Sequence, residues 1–216
     1  MLKVDFLCSD LSHPVVEHLH SWKRINQKKY NISLNNSSNS LEGGNFLFLI
    51  SCHEIIKDNI IDKYENVLVL HASDLPNGKG WSPLVWQILQ GKKEITLSLI
   101  EANKRVDTGR IWLQKKMKFY KHQLYKEINK ILFETEIFLI NKALKEYKNI
   151  KPKKQKKISN IETYEKRNPE DSEMDINKNL KSQFNLLRIS DPERYPAFFK
   201  IHGKKFKITI EEYEKN

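Results

Sequence analysis

The chain has 216 residues, of which 39% are hydrophobic, and a formal net charge of +11. This length allows one main domain with a small appendage and is short for two full domains. No stretch approaches the roughly 20 apolar residues of a membrane helix, and the N-terminus resembles a strand rather than a cleavable signal peptide. We therefore expect a cytoplasmic protein with no membrane partner.

Two cysteines and a run of lysines decide what else the composition excludes. Cys8 and Cys52 both lie in apolar segments, which favours reduced thiols over a disulfide or a zinc site. The positive charge raises the question of nucleic acid. The one dense lysine run, residues 151–157, has no interleaved aromatic side chains that could stack on bases. We therefore expect no metal, no nucleic-acid partner, and a solvated connector at this run.

The main part of the chain alternates between strand and helix patterns. Apolar runs predict strands over 2–7, 30–34, 46–50, 67–70, 95–100 and 111–117. Helical spacing predicts helices from Val15 through Trp22, over 54–64, from Pro83 to near Gly91 with Ser82 as the cap, and over 122–145. This alternation predicts an α/β fold with a mostly parallel sheet and a ligand site at the carboxyl ends of its strands.

The pattern changes after residue 150. A basic linker is expected over 151–166, followed by a polar turn, a helix over 178–189, and a β-hairpin formed by 197–201 and 205–210. The predicted division is a main domain over 1–150, this linker, and a small C-terminal αβ appendage over 167–216.

The candidate active site begins with the segment His-Ala-Ser-Asp-Leu-Pro-Asn-Gly-Lys-Gly, which runs from His71 to Gly80. It places an imidazole at the end of an apolar strand with a Pro/Gly loop behind it. An Asp-Thr-Gly sequence follows at 107–109, in the loop between two later strands. A histidine after a strand is usually structural, but this combination favours acid–base catalysis by His71 with Asp107.

These residues and their spacing resemble the catalytic domain of the formyltransferases that use 10-formyltetrahydrofolate. The resemblance covers residues 45–118 well and implies a Rossmann-like domain. The tail, with Arg-Asn-Pro-Glu-Asp at 167–171 and Tyr-Pro-Ala-Phe-Phe at 195–199, looks like the short C-terminal segment of sugar N-formyltransferases. Methionyl-tRNA formyltransferases carry a larger C-terminal β-barrel. The loop at 8–14 further resembles a compact subgroup associated with pseudaminic-type nonulosonic acid pathways.

The resemblance implies transfer of the formyl group of 10-formyltetrahydrofolate to the amine of a nucleotide-linked amino sugar, without a metal. His71 would take the amine proton or, as imidazolium, donate to the oxyanion, and Asp107 would orient the ring and stabilise its charge. The implied cofactor-binding residues are Ser51, Cys52, His53, Glu54, Ile55, Ile56, Lys104, Arg105 and Val106. The expected substrate-binding residues are Ser9, Asp10, His13, Asn77, Gly78, Lys79, Gly80 and Trp81.

One position departs from the family pattern. The family usually has an Asn two positions before the histidine, as a donor to the oxyanion, and this chain has Val69 there. Loss of a comparable donor costs about 2.7 to 4 kcal/mol. Ser51, Ser73 and Asn77 are the candidate replacements.

Two other functions stay open at this point. One is a glycinamide ribonucleotide-type transformylase, which the length allows and the tail disfavours. The other is a non-catalytic folate- or nucleotide-binding homologue, which the valine at position 69 suggests. The long helix and the tail hairpin also offer surfaces for a possible homodimer.

Overall fold

The computed structural model describes residues 1–213, and within them six strands form the main sheet. In chain order these are β1 Leu2–Leu7, β2 Tyr30–Asn35, β3 Gly44–Leu49, β4 Tyr64–His71, β6 Glu94–Glu101 and β7 Ile111–Lys118. The spatial order is β2-β1-β3-β4-β6-β7. The first four strands run parallel, and β6 and β7 join as an antiparallel pair on the side of β4. The predicted α/β fold with a mostly parallel sheet is confirmed.

Helices cover the sheet and connect its strands. They are α1 Val15–Asn26, α2 Asp58–Ile61, α3 Pro83–Leu89, α4 Tyr125–Glu146 and α5 Leu180–Ile189. Phe6, Phe46 and Phe48 stack in the largest core cluster and are at most 1% exposed. Complete burial of such a side chain contributes roughly 1.5 to 3 kcal/mol, so this aromatic stack fixes the central strands firmly. The carboxyl ends of those strands then carry the candidate site.

Two local predictions are wrong. The helix expected over 54–64 shrinks to α2, because Tyr64 already belongs to β4, where its buried hydroxyl donates to Asp5 at 2.6 Å. Ser82 does not cap α3 with its side chain, since its backbone is left-handed, with φ 47° and ψ 47°. Pro83 does occupy the first turn of this helix, as expected.

The segment that follows α4 returns to the main domain. We call residues 153–164 the strap. It begins where Lys153 makes two backbone hydrogen bonds with Ile111, at 2.7 and 2.9 Å. It ends in β8, Thr163–Tyr164, which pairs in parallel with the two-residue strand β5, Lys79–Gly80. Most side chains between these ends are exposed, as expected for the basic run.

The tail contains α5 and an antiparallel hairpin, β9 Ala197–Ile201 and β10 Lys204–Ile208. The second strand of the hairpin begins one residue earlier and ends two residues earlier than expected. Residues 214–216 of the expected appendage lie outside the described residues. The division into main domain, linker and appendage stays a prediction. Within residues 1–213 no helix is long and apolar enough to cross a membrane, and no cluster of metal-binding side chains occurs.

Candidate active site

His71 and Asp107 meet at the carboxyl end of β4. Their side chains are only 7% and 6% exposed, and His71 Nδ1 lies 3.4 Å from Asp107 Oδ1. The other ring nitrogen, Nε2, lies 2.8 Å from the carbonyl oxygen of Gly78. The imidazole is therefore enclosed between a carboxylate and a carbonyl of residues 77–80, which we call the Gly loop.

This enclosure determines which contacts the ring can make. A neutral imidazole has one N–H donor and one acceptor nitrogen, whereas both nitrogens of His71 face oxygen acceptors. A neutral ring can therefore donate to one of these oxygens, and only its protonated form can donate to both.

Asp107 is itself held by the Gly loop. Its Oδ2 accepts a hydrogen bond from the Gly80 backbone N–H at 2.9 Å, and its backbone is left-handed, with φ 56°. Aspartate tolerates this conformation better than most residues do. Two positions on, only glycine fits, because a Cβ at Gly109 would overlap the carbonyl oxygen of Glu101. Local geometry thus requires the glycine of the Asp-Thr-Gly sequence.

The strap holds the Gly loop from behind. The carbonyl of Glu162 accepts from the N–H of Gly78 at 2.9 Å, and that of Tyr164 accepts from the N–H of Trp81 at 3.0 Å. Gly80 has φ 96°, and a Cβ there would overlap the Tyr164 carbonyl. The glycine is therefore needed both for its backbone conformation and for the close approach of the strap.

Ser51 is the candidate donor with the most suitable contacts. Its Oγ lies 3.1 Å from His13 Nε2, while His13 Nδ1 accepts from the N–H of Val15 at 3.2 Å. Burial and the charge of Arg194 lower the pKa of His13 to about 4, so its ring is neutral near pH 7. Since Nδ1 accepts, Nε2 carries the proton and donates to Ser51, which leaves the Ser51 hydroxyl hydrogen free to donate.

The other two candidates are placed differently. Ser73 is 1% exposed, and its buried hydroxyl has no hydrogen-bond partner within residues 1–213. Asn77 is exposed on that loop. Val69 is half-buried and pairs in register with Leu49, two residues before Ser51. Ser51 therefore extends from the strand next to the position where the family amide is missing.

The two loops expected to bind the cofactor lie side by side. Lys104 in one forms an ion pair at 2.8 Å with Asp58, which follows the other. Cys52, Glu54 and Ile56 are half-buried, whereas His53 and Arg105 are exposed. The apolar side chains of Ile55 and Val106 are 78% and 60% exposed. The paired loops thus present apolar surface to solvent at the sheet end that carries His71.

The first loop of the chain is tied to this region by Ser9. The Ser9 hydroxyl accepts from the N–H of His53 at 3.0 Å and lies 3.4 Å from Cys52 Sγ. His53 in turn contacts Trp81, with ring centroids 5.6 Å apart. Trp81 is 37% exposed, and the ammonium of Lys166 lies 5.0 Å from its ring centroid. Ser9, His53 and Trp81, which come from three of the expected loops, therefore lie close together. Lys79 in the Gly loop is half-buried.

Asp10 has a different environment from its neighbours in that loop. Hydrogen bonds from the Ser12 hydroxyl and from Arg194 lower the pKa of Asp10 to about 2. The ion pair with Arg194 Nη1 is 2.9 Å long, and Arg194 also binds Asp191 at 2.6 Å. The tail is thereby anchored to the first loop, and the Asp10 carboxylate is already engaged.

Sequence reasoning missed three residues around the site: Gln155, Tyr164 and Arg194. Gln155 Nε2 donates to the carbonyls of Asp107 and Gly109, both at 2.9 Å. The sequence gives no signal for this role, because Gln155 stands alone within a lysine run. Arg194 lies 184 residues from its partner Asp10, a separation that no local pattern can indicate.

Two buried groups near the site are less reactive than their chemistry suggests. Burial raises the pKa of the Cys8 thiol to about 11, so it stays protonated near pH 7. Burial also raises the pKa of Glu136 in α4 to about 8, and one of its carboxyl oxygens has no hydrogen-bond partner in the part of the chain that the structure describes. Neither group contacts His71 or Asp107 among the hydrogen bonds described.

The fold and the site together define an α/β protein with a buried His–Asp pair at a strand end. The formyl transferase family model matches residues 10–144, and the chain belongs to this family. A methionyl-tRNA formyltransferase from Finegoldia magna is 27% identical over 178 residues, which are 79% of this chain and 57% of that protein. A second, from Protochlamydia amoebophila, is 26% identical over 170 residues and is covered over 53% of its length. The chain thus spans about half the length of these curated relatives.

Solved structures show the same fold. A methionyl-tRNA formyltransferase from Clostridium thermocellum has a TM-score of 0.81 at 23% identity, with 99% of this chain and 94% of that chain covered. A sugar N-formyltransferase from a Shewanella species has a TM-score of 0.73 at 16% identity, with both chains covered completely. The Rossmann-like expectation is confirmed by these neighbours.

Proposed function

We propose that this chain transfers the formyl group of 10-formyltetrahydrofolate to the amine of a nucleotide-linked amino sugar, in the synthesis of a surface glycan or a nonulosonic acid. The observation that carries the formyl transfer is the buried His71–Asp107 pair, with one ring nitrogen on the carboxylate and the other on a replaceable loop carbonyl. This is the layout of an imidazole that manages a proton and a developing negative charge.

The reaction uses the two contacts of His71 in sequence. The acceptor amine attacks the formyl carbon, and the formyl oxygen takes up negative charge. The N–H of His71 Nε2 leaves the Gly78 carbonyl and donates its hydrogen bond to this oxyanion or to N10 of the folate. His71 would give a proton to N10 as the bond between the formyl carbon and N10 breaks, and it would take up the proton lost by the amine, so the protein ends with the number of protons it began with. Asp107 balances the charge of His71 while the ring is an imidazolium.

Ser51 supplies the second donor to the oxyanion in this proposal. Its hydroxyl hydrogen is free because neutral His13 donates to its oxygen, and it follows the strand next to Val69. Ser51 therefore compensates for the missing family amide. The His71 imidazolium carries the remaining electrostatic stabilisation, which explains how a valine is tolerated at position 69.

The cofactor fits the paired loops around Ile55 and Val106. A pterin and its linked aromatic ring bury apolar area, and these loops offer exposed apolar side chains. Tetrahydrofolate occurs in the structure of one neighbour, HypX from Aquifex aeolicus, which has a TM-score of 0.79 at 18% identity. We assign the amino-sugar nucleotide to the surface between Ser9, His13 and Trp81.

The sugar substrate is supported by the tail, which resembles the short C-terminal segment of sugar N-formyltransferases. Two sugar N-formyltransferase structures match this chain end to end, and a methionyl-tRNA formyltransferase structure is also covered over 94% of its chain. A second candidate is formylation of an aminoacyl-tRNA. It is favoured by the names of the relatives found by sequence and by the net charge of +11, against our expectation of no nucleic-acid partner.

One assay that compares acceptors separately distinguishes these functions. The full chain is incubated with 10-formyltetrahydrofolate and either UDP-, dTDP- or GDP-linked amino sugars, glycinamide ribonucleotide, or methionyl-tRNA, and tetrahydrofolate release is followed. Turnover with one amino-sugar nucleotide, and at least about 100-fold less with the other acceptors, supports the proposal. Turnover with methionyl-tRNA alone refutes the substrate, and tetrahydrofolate binding without turnover on any amine identifies a non-catalytic homologue.

A further inference from the structure

We infer that Gln155, in the strap, is a positioning residue for Asp107, so that the segment after α4 belongs to the active site. This inference rests on the proposed function for its catalytic consequence. Its structural basis is one side-chain amide that donates to two backbone carbonyls, those of Asp107 and Gly109, each at 2.9 Å. These carbonyls flank the turn that presents the catalytic carboxylate.

The turn needs such support. Asp107 is a left-handed residue in a loop whose preceding positions, 103–106, are all exposed. A left-handed conformation at a residue other than glycine costs free energy and persists where the surroundings impose it. Gly109 fixes one side of the turn through its close approach to Glu101. Gln155 fixes the other side, because its two donors can be satisfied together only when both carbonyls point toward it.

The strap makes a second connection to the active site, through the Gly loop. Its far end, β8, holds the Gly loop, whose Gly80 N–H donates to Asp107 Oδ2 and whose Gly78 carbonyl accepts from His71. One continuous segment therefore fixes the backbone of Asp107 at residue 155 and the partners of both catalytic side chains at residues 162–164. Displacement of the strap would move the carboxylate and the loop together.

Gln155 differs from its neighbours in the strap in burial and in contacts. Lys154 and Lys156 are exposed, whereas Gln155 is half-buried and turned toward the Asp107 loop. Replacement of Gln155 by Glu keeps the size of the side chain but substitutes acceptors for donors, so two carbonyls would face a carboxylate. Replacement of Lys156 by Gln changes charge on the same strap without touching the loop, and it serves as the matched control.

The test compares Gln155→Glu, Gln155→Ala and Lys156→Gln in the full chain. We expect both Gln155 variants to lower kcat by about 10- to 100-fold, the effect of a small misplacement of a catalytic group, with KM for both substrates changed less than about threefold. Lys156→Gln should keep the wild-type kcat. A purely structural role would lower the amount of folded enzyme and would leave the kcat of the folded fraction unchanged, which overturns the inference.

Amide hydrogen exchange gives a second readout that does not depend on activity. Exchange at Gly80 and across residues 101–110 should accelerate in Gln155→Glu while the core strands β1 and β3 keep their protection. If the wild-type chain transfers no formyl group, the proposed function fails, and local acceleration still supports the positioning of Asp107 by Gln155. Unchanged exchange at these sites overturns the inference whatever the activity.

Discussion

Replacement of Asp107 by Asn removes the charge that faces His71 while keeping the shape of the side chain. In the wild-type chain the Gly80 N–H donates to Asp107 Oδ2 at 2.9 Å. The Asn carbonyl oxygen can accept the same hydrogen bond, so the Gly loop should keep its position. The amide group then faces His71 Nδ1 in place of the carboxylate at 3.4 Å. The imidazolium thereby loses its counter-ion.

The size of the effect follows from this distance. Two unit charges 3.4 Å apart interact with roughly 5 kcal/mol at an effective dielectric constant of about 20, the value that suits even buried pairs. Each 1.36 kcal/mol of lost transition-state stabilisation is a factor of about ten in rate. We therefore expect kcat to fall by about three orders of magnitude, with tetrahydrofolate affinity unchanged, because neither charge is proposed to contact the pterin.

The assay is steady-state release of tetrahydrofolate with the amino-sugar nucleotide that supports turnover, together with calorimetric titration of tetrahydrofolate. Asp62→Asn, at an exposed carboxylate after α2, is the matched control and should retain the wild-type kcat. If Asp107→Asn keeps more than about a tenth of the wild-type kcat, the carboxylate does not stabilise a charged His71, and the mechanism is wrong.

Three further predictions concern other positions. Ser51→Ala should lower kcat by about 100-fold, the cost of one oxyanion donor, and Val69→Asn in that background should restore part of the loss; no loss in Ser51→Ala would exclude the hydroxyl as the replacement donor. Gly109→Ala should destabilise the fold by more than about 2 kcal/mol in urea unfolding, because the new methyl group overlaps the Glu101 carbonyl, and wild-type stability would contradict the crowding. Burial raises the pKa of Glu136 to about 8 from an ordinary 4.5, so between these two pH values the folded state holds a proton that the unfolded state has released. The free energy of unfolding therefore falls as pH rises between these values, by at most about 1.4 kcal/mol per pH unit. Glu136→Gln should flatten the dependence of unfolding free energy on pH between 5 and 8, and an unaltered slope would assign it to another group.

The strands and long helices could be predicted from the sequence because their signals are local. The apolar run at 46–50 and the helical spacing through α4 each reflect burial of a continuous face, and the structure places β3 and α4 there. The prediction of a helix over 54–64 is wrong at its start because side chains from distant parts of the sequence hold residues 53 and 54 in a loop. Ser9 binds the His53 N–H, and Ser38 binds the Glu54 carboxylate at 2.5 Å.

In the candidate site, too, some residues could be predicted from the sequence and others could not. His71 and Asp107 could be predicted because a motif with defined spacing carries them, and the structure brings them together. The partners that control them could not be predicted. Gln155 lies 48 residues from Asp107, and the contact of His13 with Ser51 spans 38 residues, so both depend on how the chain folds back. Backbone partners such as the Gly78 carbonyl leave no trace in residue identity.

The most direct test of the central claim is transfer of an isotopically labelled formyl group, followed by mass spectrometry of the acceptor. Wild-type chain with labelled 10-formyltetrahydrofolate should place the label on the amine of an amino-sugar nucleotide. His71→Ala should abolish this transfer while His20→Ala, at an exposed histidine of α1, retains it. Transfer to the sugar amine that persists in His71→Ala, or label found on no amino-sugar nucleotide, would contradict the account.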